Sequence, residues 1–283
     1  MFDSRIAFVT GASRGIGAAA ALALAQRGFK LVLTARTLKE GEVREYSPTA
    51  GRSLRRAMPG SLERTAEGVR KLGREALTLR MDLLDRGSVR NAVRKALERW
   101  GHIDLLLNNG IYQGPGTMDS VLDLDLGDAE RVLQGNVLSQ LLLVQQVLPG
   151  MLAQGGGCII NMVSAAGSTD PPAPAEQGGW GFLYGASKAA FQRLVGVLKV
   201  EHSDAGLRLF NVEPGLILTE SMKAQGLSEE LARHFGGAPP EVPAAVIAWL
   251  ATEPAAAQWH GRTVSAQRLC RDLGLVTGWP TSQ

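Results

Sequence analysis

The sequence is poor in the residues that announce a metal centre. Of its 283 residues only two are cysteine. Cys158 lies in an apolar run and Cys270 near the C-terminus, with no metal-ligand spacing between them. The four histidines, His102, His202, His234 and His260, form no close pair, so no metal site is expected. Neither sign of charge prevails: 30 Lys and Arg stand against 27 Asp and Glu, a formal net charge of +3. That balance does not argue for nucleic acid, although the sequence pI is about 9.0. No apolar run approaches the roughly 18 residues a membrane span needs. The two isolated cysteines suit a reducing cytoplasm, the expected location, and the N-terminus carries an early Asp3, no basic start and no apolar core before a cleavage site. No linker divides the chain and no repeat recurs. Residues 1–283 therefore read as a single domain, long enough to bury a sizeable core.

Aliphatic and β-branched runs alternate with longer helical patterns. Strands are expected at Ile6–Thr10, Lys30–Ala35, Ala76–Met81, Asp104–Asn108, Cys158–Met162 and Arg208–Val212, with a last short one at Thr263–Ser265. Helices are expected at Gly15–Arg27, Leu62–Leu72, Asp85–Trp100, Leu126–Leu152, Tyr184–His202 and Glu241–Ala251. This alternation predicts an α/β fold, a doubly wound parallel sheet with helices on both faces. Three stretches depart from it: an Arg-, Gly- and Pro-containing insertion at 38–61 after the second strand, a Pro- and Gly-rich segment at 170–181, and a broken helical stretch at 219–240. Long connections of this kind are often functional covers, and 219–240 is expected to be a substrate lid.

Two motifs carry chemistry. Thr10-Gly11-Ala12-Ser13-Arg14-Gly15-Ile16-Gly17 follows a strand and opens a helix. Gly11 permits a tight turn, Gly15 lets the backbone approach a pyrophosphate, and Gly17 lets helix and strand pack closely, while the helix N-terminus offers free N–H donors. Tyr184 and Lys188, four residues apart, share one helix face. A lysine ammonium beneath a tyrosine phenol is expected to pull the phenol pKa down from about 10, which makes Tyr184 a candidate general acid/base.

With Ser164, these motifs in this order resemble the short-chain dehydrogenase/reductase family, whose turn reads Thr-Gly-x-x-x-Gly-x-Gly. The resemblance runs from Ile6 to about Leu275 and implies a Rossmann-type fold and a bound nicotinamide dinucleotide. It implies that Ser13, Arg14 and Ile16 join the three glycines at the cofactor. Asp82, with Leu83, corresponds to the acid that contacts adenine, and Asn109 and Gly110 to the family's Asn-Asn-Ala-Gly segment, here without its alanine. Pro214-Gly215-Leu216-Ile217-Leu218-Thr219 resembles the Pro-Gly-x-x-x-Thr segment, so Pro214, Gly215, Ile217 and Thr219 are expected at the nicotinamide end. The family pattern also gives Lys188 the nicotinamide ribose, and Asn136 a water that links Lys188 to solvent. Ser164 would hydrogen-bond the carbonyl oxygen where charge develops. Ser164 and Tyr184 are further apart than in many members, so 170–181 must loop out, and Ser168 is the alternative serine.

Cofactor choice depends on charge after the second strand. An acid there would accept from a ribose 2′-hydroxyl, but this chain has Ala35 followed by Arg36, and Arg14 in the turn. Guanidinium groups suit a 2′-phosphate, so NADP(H) is expected. The expected activity interconverts a hydrophobic secondary alcohol and its ketone. The candidate walls are Tyr112, Trp180, Phe182, Leu216, Met222 and Phe235. The broad apolar faces of the 126–152 and Tyr184 helices imply burial on more than one side, and the resemblance, in a family that commonly pairs these two helices across a subunit interface, implies a homodimer or homotetramer. Three alternatives stand beside this reading: an NAD-linked dehydrogenase of the same fold, an NADPH sensor without turnover, and a structural protein with an empty fold.

Overall fold

The aliphatic runs pair side by side. A computed structural model describes residues 4–49, 52–224, 228, 234 and 236–280. Its strands are β1 (Ile6–Thr10), β2 (Lys30–Ala35), β3 (Val43–Thr49), β4 (Arg52–Ala57), β5 (Ala76–Arg80), β6 (Leu105–Asn108), β7 (Gly157–Met162), β8 (Leu207–Glu213) and β9 (Arg262–Ser265). Seven of them form one sheet in the order β5-β2-β1-β6-β7-β8-β9, and every pairing in it is parallel. The pleat sends alternate residues of β1 to opposite faces. Ala7 and Val9 join one core with Leu24, Val69, Ile247 and Leu250, while Ile6 and Phe8 join another with Val89, Leu143, Val147 and Val195.

The helices on the first face are α1 (Gly15–Gln26), α2 (Leu62–Lys71), α8 (Glu241–Thr252) and α9 (Ala266–Leu273); α3 (Arg86–Trp100), α5 (Ser139–Ala153) and α6 (Phe182–Glu201) lie on the second. Two starts follow their sequence signals. Ser61 Oγ accepts from Arg64 N at 3.2 Å, and Asp85 Oδ1 from Gly87 N at 2.8 Å and Ser88 N at 3.1 Å. α9 has no counterpart among the expected elements.

Two regions depart from expectation. The insertion at 38–61 is not an open connection: β3 and β4 pair antiparallel as a separate hairpin. The helix expected as unbroken over Leu126–Leu152 is α4 (Leu126–Leu133), a π turn at Gln134–Leu138, and then α5. The turn is wide because Asn136 points inward and is fastened by its amide to Tyr112. Leu126–Ala153 taken whole is long and apolar enough to cross a membrane, contrary to the sequence expectation. It is a core helix here, with Leu143, Val144, Val147 and Met151 buried in the second core. Much of 219–240, with Phe235, lies outside the described residues; α7 (Glu220–Ala224) opens that stretch.

Candidate active site

β1 and β6 lie next to each other while their neighbours run outward in opposite directions, so a crevice opens beyond their carboxyl ends. The glycine turn sits there under close contact. A Cβ on Gly17 would lie 2.3 Å from Gly11 O, and one on Gly11, whose φ is +65°, 2.7 Å from Gly110 Cα. Thr10 Oγ1 accepts from Asn109 N at 2.9 Å and Gly110 N at 2.8 Å, while Asn109 Nδ2 donates to Thr10 O at 2.9 Å. Asn109 and Gly110 are therefore brought against the turn. Ser13 is buried and Ile16 packs on the core beneath.

Thr219 reaches the same turn from the far end of the chain: a Cβ on Gly15 would lie 3.1 Å from its Cγ2. Gly15 N donates to Glu220 Oε2 at 2.8 Å. Glu220 was not among the residues singled out, and no local pattern could have marked it, since its partner lies more than 200 positions away. Its carboxylate occupies the positive end of α1, so the turn does hold an anionic oxygen. Before Thr219, Gly215 adopts φ +75° and its N–H donates to Glu213 Oε1 at 2.8 Å. Ile217 is buried and bridges to Ala238.

A cleft of about 190 Å³ runs from the turn past the end of β2, lined by Gly11, Ser13, Ala35, Arg36, Asp82 and Asn109 among others. Leu83, Gly110 and Arg14 also line it. Asp82 Oδ1 accepts from Leu84 N at 3.0 Å and shapes the corner after β5. A glycine-lined turn at a helix N-terminus, a guanidinium beyond β2 and a cleft between them fit a dinucleotide. Arg14 Nε donates to Pro59 O at 2.7 Å and Nη2 to Gly60 O at 3.0 Å, which fastens the foot of the hairpin to the turn.

At the other end of the crevice, Ser164 follows β7 and Tyr184 and Lys188 project from the first turns of α6. Ser164 lies near enough to Tyr184 to act on its phenol, while its Oγ accepts from Ala166 N at 3.3 Å. The two hydroxyls converge because 165–181 loops outward through two short 3₁₀ turns. Ser168 is exposed and its Oγ donates to Ala165 O at 3.3 Å, so it is not the serine at the tyrosine. Lys188 is buried and donates from Nζ to Met162 O at 2.9 Å. Burial brings its pKa down to about 8.

The expected depression of the tyrosine pKa is corrected. Burial is the largest influence on Tyr184 and pushes the phenol up; the Ser164 hydrogen bond opposes this and the Glu213 charge adds to it. Lys188 gives its ammonium to the Met162 carbonyl. Asn136 is buried in the π turn, with Oδ1 accepting from Tyr112 N at 2.7 Å and Nδ2 donating to Tyr112 O at 3.2 Å. Both ends of its amide thus hold the loop after β6.

Of the candidate walls, Trp180 and Phe182 line a second cleft beside the start of α6, of about 440 Å³, with Val121, Pro171 and Pro174. Tyr112 instead packs with Val132 and Leu183 in a small core of its own and lines the first cleft. Leu216 and Met222 do not join the Trp180 cleft.

A family profile described as short chain dehydrogenase matches residues 5–55 and 54–230. The chain is 33% identical over 265 residues to a 3-oxoacyl-[acyl-carrier-protein] reductase of Synechocystis sp., covering 92% of this chain and 94% of that one. It is 29% identical over 287 residues to a 7alpha-hydroxysteroid dehydrogenase of Bacteroides fragilis, covering 99% and 97%. A short-chain type dehydrogenase/reductase from Mycobacterium marinum superposes with a TM-score of 0.75 at 26% identity, over 92% of this chain and 93% of that one. The sheet order and the profile agree over most of the chain, and this protein is accordingly an oxidoreductase of the short-chain dehydrogenase/reductase family, which works with a nicotinamide cofactor.

Proposed function

We propose that this chain is an NADP(H)-dependent oxidoreductase that interconverts a hydrophobic secondary alcohol and its ketone, with Tyr184 as general acid/base. The observation that carries the reading is Ser164 beside Tyr184, with buried Lys188 one helical turn further along α6, at the same carboxyl edge of the sheet as the glycine turn and the Arg36 cleft. A bound nicotinamide supplies the hydride in reduction and accepts it in oxidation. Gly11, Ser13, Gly15, Ile16 and Gly17 would hold its pyrophosphate side, with Arg14 bracing the turn against the hairpin, Asp82, Leu83, Asn109 and Gly110 the adenosine side, and Pro214, Gly215, Ile217 and Thr219 the nicotinamide end.

Ser164 donates to the substrate oxygen, where negative charge develops. Tyr184 gives that oxygen its proton in reduction and takes it back in oxidation. A phenol kept neutral by burial is ready to donate, so reduction proceeds at neutral pH and oxidation calls for a higher one. Lys188, one turn after Tyr184 and bonded to Met162 O, would bind the nicotinamide ribose. Asn136 keeps the loop after β6 in place, and its π turn sets the floor on which Lys188 would meet a water.

Trp180, Phe182 and Val121 give the substrate cleft an apolar wall, which supports a hydrophobic alcohol or ketone. Exposed Leu138 and Leu141 near the start of α5, and Val197 and Val200 on α6, support a homodimer or homotetramer, which light scattering at micromolar concentration reads directly.

Calorimetry with NADPH and NADH tests the cofactor reading. Preference for NADPH by tenfold or more, followed by turnover of apolar ketones, is expected. Preference for NADH makes the protein an NAD-linked dehydrogenase, and binding of neither defeats the catalytic reading.

A further inference from the structure

The hairpin β3–β4 departs furthest from the sequence expectation, and it folds back over the end of β2, where the cofactor's adenosine ribose lies in a sheet of this kind. Arg44, on β3, lines the same cleft as Ala35, Arg36, Thr37 and Asp82. Its Nη2 donates to Arg36 O at 3.1 Å, which puts the guanidinium at the first residue after β2. Arg80, from the end of β5, donates to the same carbonyl at 2.8 Å. Two elements thus converge on one main-chain oxygen.

Charge leaves Arg44 available. Glu42 is bound by both arginines, and Arg80 grips it with both nitrogens, at 2.7 and 2.9 Å. One carboxylate shared by two guanidinium groups leaves one positive charge over. Arg44 Nε is also buried with no hydrogen-bond partner, and a buried N–H without an acceptor is unfavourable until a ligand supplies one. Beyond Arg44 the cleft opens into a shallower groove bordered by Arg55 and Arg80, with Glu45 and Asp82 as its acids. Arg14, the other arginine expected at a 2′-phosphate, is engaged with Pro59 and Gly60 carbonyls.

We infer that Arg44, carried by the hairpin insertion, forms with Arg36 the subsite for the 2′-phosphate of NADP(H), while Arg14 acts as a positioning residue that holds the hairpin shut. This rests on the NADP(H) reading. A planar guanidinium matches a phosphate with two parallel N–H bonds, and the two arginines approach from different elements, so the phosphate is gripped on two sides.

The test is calorimetry with two probes that differ only in the phosphate concerned, adenosine 2′,5′-bisphosphate and adenosine 5′-monophosphate. Wild-type protein is expected to bind the bisphosphate at least about tenfold more tightly. Arg44→Gln should weaken the bisphosphate about tenfold and leave the monophosphate unchanged, which also shows that the variant is folded. Arg44→Lys should recover part of the loss. Arg14→Gln should weaken both probes alike and lower Tm. If wild-type protein prefers the bisphosphate and Arg44→Gln keeps that preference, the inference is overturned and the NADP(H) reading stands. If Arg44→Gln weakens both probes equally, Arg44 merely supports the hairpin and the inference is again overturned. If wild-type protein shows no preference, the NADP(H) reading falls, and the subsite with it.

Discussion

At the Tyr184 end of the crevice, Ser164 and Lys188 hang from β7 and α6, and the lysine bonds to main chain inside the sheet. At the Arg36 end, Arg36, Arg44 and Arg80 hang from strand ends and a hairpin, and two of them share the Glu42 carboxylate near the surface. Lys188 is 5% exposed, whereas the Arg44, Arg80 and Glu42 side chains are 35%, 48% and 20% exposed. The first end gets its electrostatics from desolvation, which shifts pKa values and is insensitive to salt. The second gets it from ion pairs in contact with water, each worth about 0–1 kcal/mol and screened by salt. On the proposed function, chemistry and cofactor choice would thus be supported by different physics, and either could change without the other.

The largest expected break of that separation is none at all: Tyr184→Phe should lower turnover by about 10²–10⁴-fold while NADPH and NADH affinities stay as they are. Stopped turnover with unaltered binding supports two independent ends, and wild-type turnover in this variant removes Tyr184 as the acid.

Lys188 provides the next contrast. Burial lowers its pKa from 10.5 to about 8. Between those values the unfolded chain holds a proton that the folded one has lost, so this group makes the fold more stable as pH rises, by about 1.4 kcal/mol per pH unit. Below about pH 8 both states are protonated and its contribution no longer changes. Denaturation at several pH values should therefore show wild-type protein gaining on Lys188→Met between pH 8 and 10.5, with parallel behaviour below. A difference that stays flat throughout means the lysine is not desolvated.

The smallest effect concerns Glu220, which meets Gly15 N where a pyrophosphate oxygen would lie. Glu220→Gln removes a negative charge from that position. Both dinucleotides should bind a few-fold more tightly with their ratio unchanged, as read by calorimetry; weaker binding would make Glu220 part of the site rather than a competitor for it.

Legibility in the sequence follows the same division. Ile6–Thr10 and Lys30–Ala35 fall where the aliphatic runs place them, because strands buried on both faces consist of little else. The Tyr184–Lys188 spacing was legible because helical geometry alone puts the two on one face. β3 and β4 were not: Val43–Thr49 and Arg52–Ala57 carry no aliphatic run, and the chain on either side of them is held by Arg80 at Glu42 and Arg14 at Pro59, from elsewhere in the sequence. The π turn left no mark either, since its width depends on the Asn136 amide finding Tyr112 after folding. α9 is short and polar on one side, and only its burial of Leu269 and Cys270 reveals it. The tyrosine pKa went against the sequence reading because spacing shows which charge is near but not how much water is excluded.

The feet of the hairpin have one more consequence. Leu62 N donates to Thr37 O and Glu63 N to Leu38 O, each at 3.1 Å, so the chain leaves and rejoins the sheet layer through a closed gate. What hangs beyond that gate can be exchanged without re-routing a strand, and the hairpin is in this sense a cassette. On the reading proposed above, transplanting it between relatives would carry the preference for one dinucleotide over the other as a unit, and leave Tyr184 in its place.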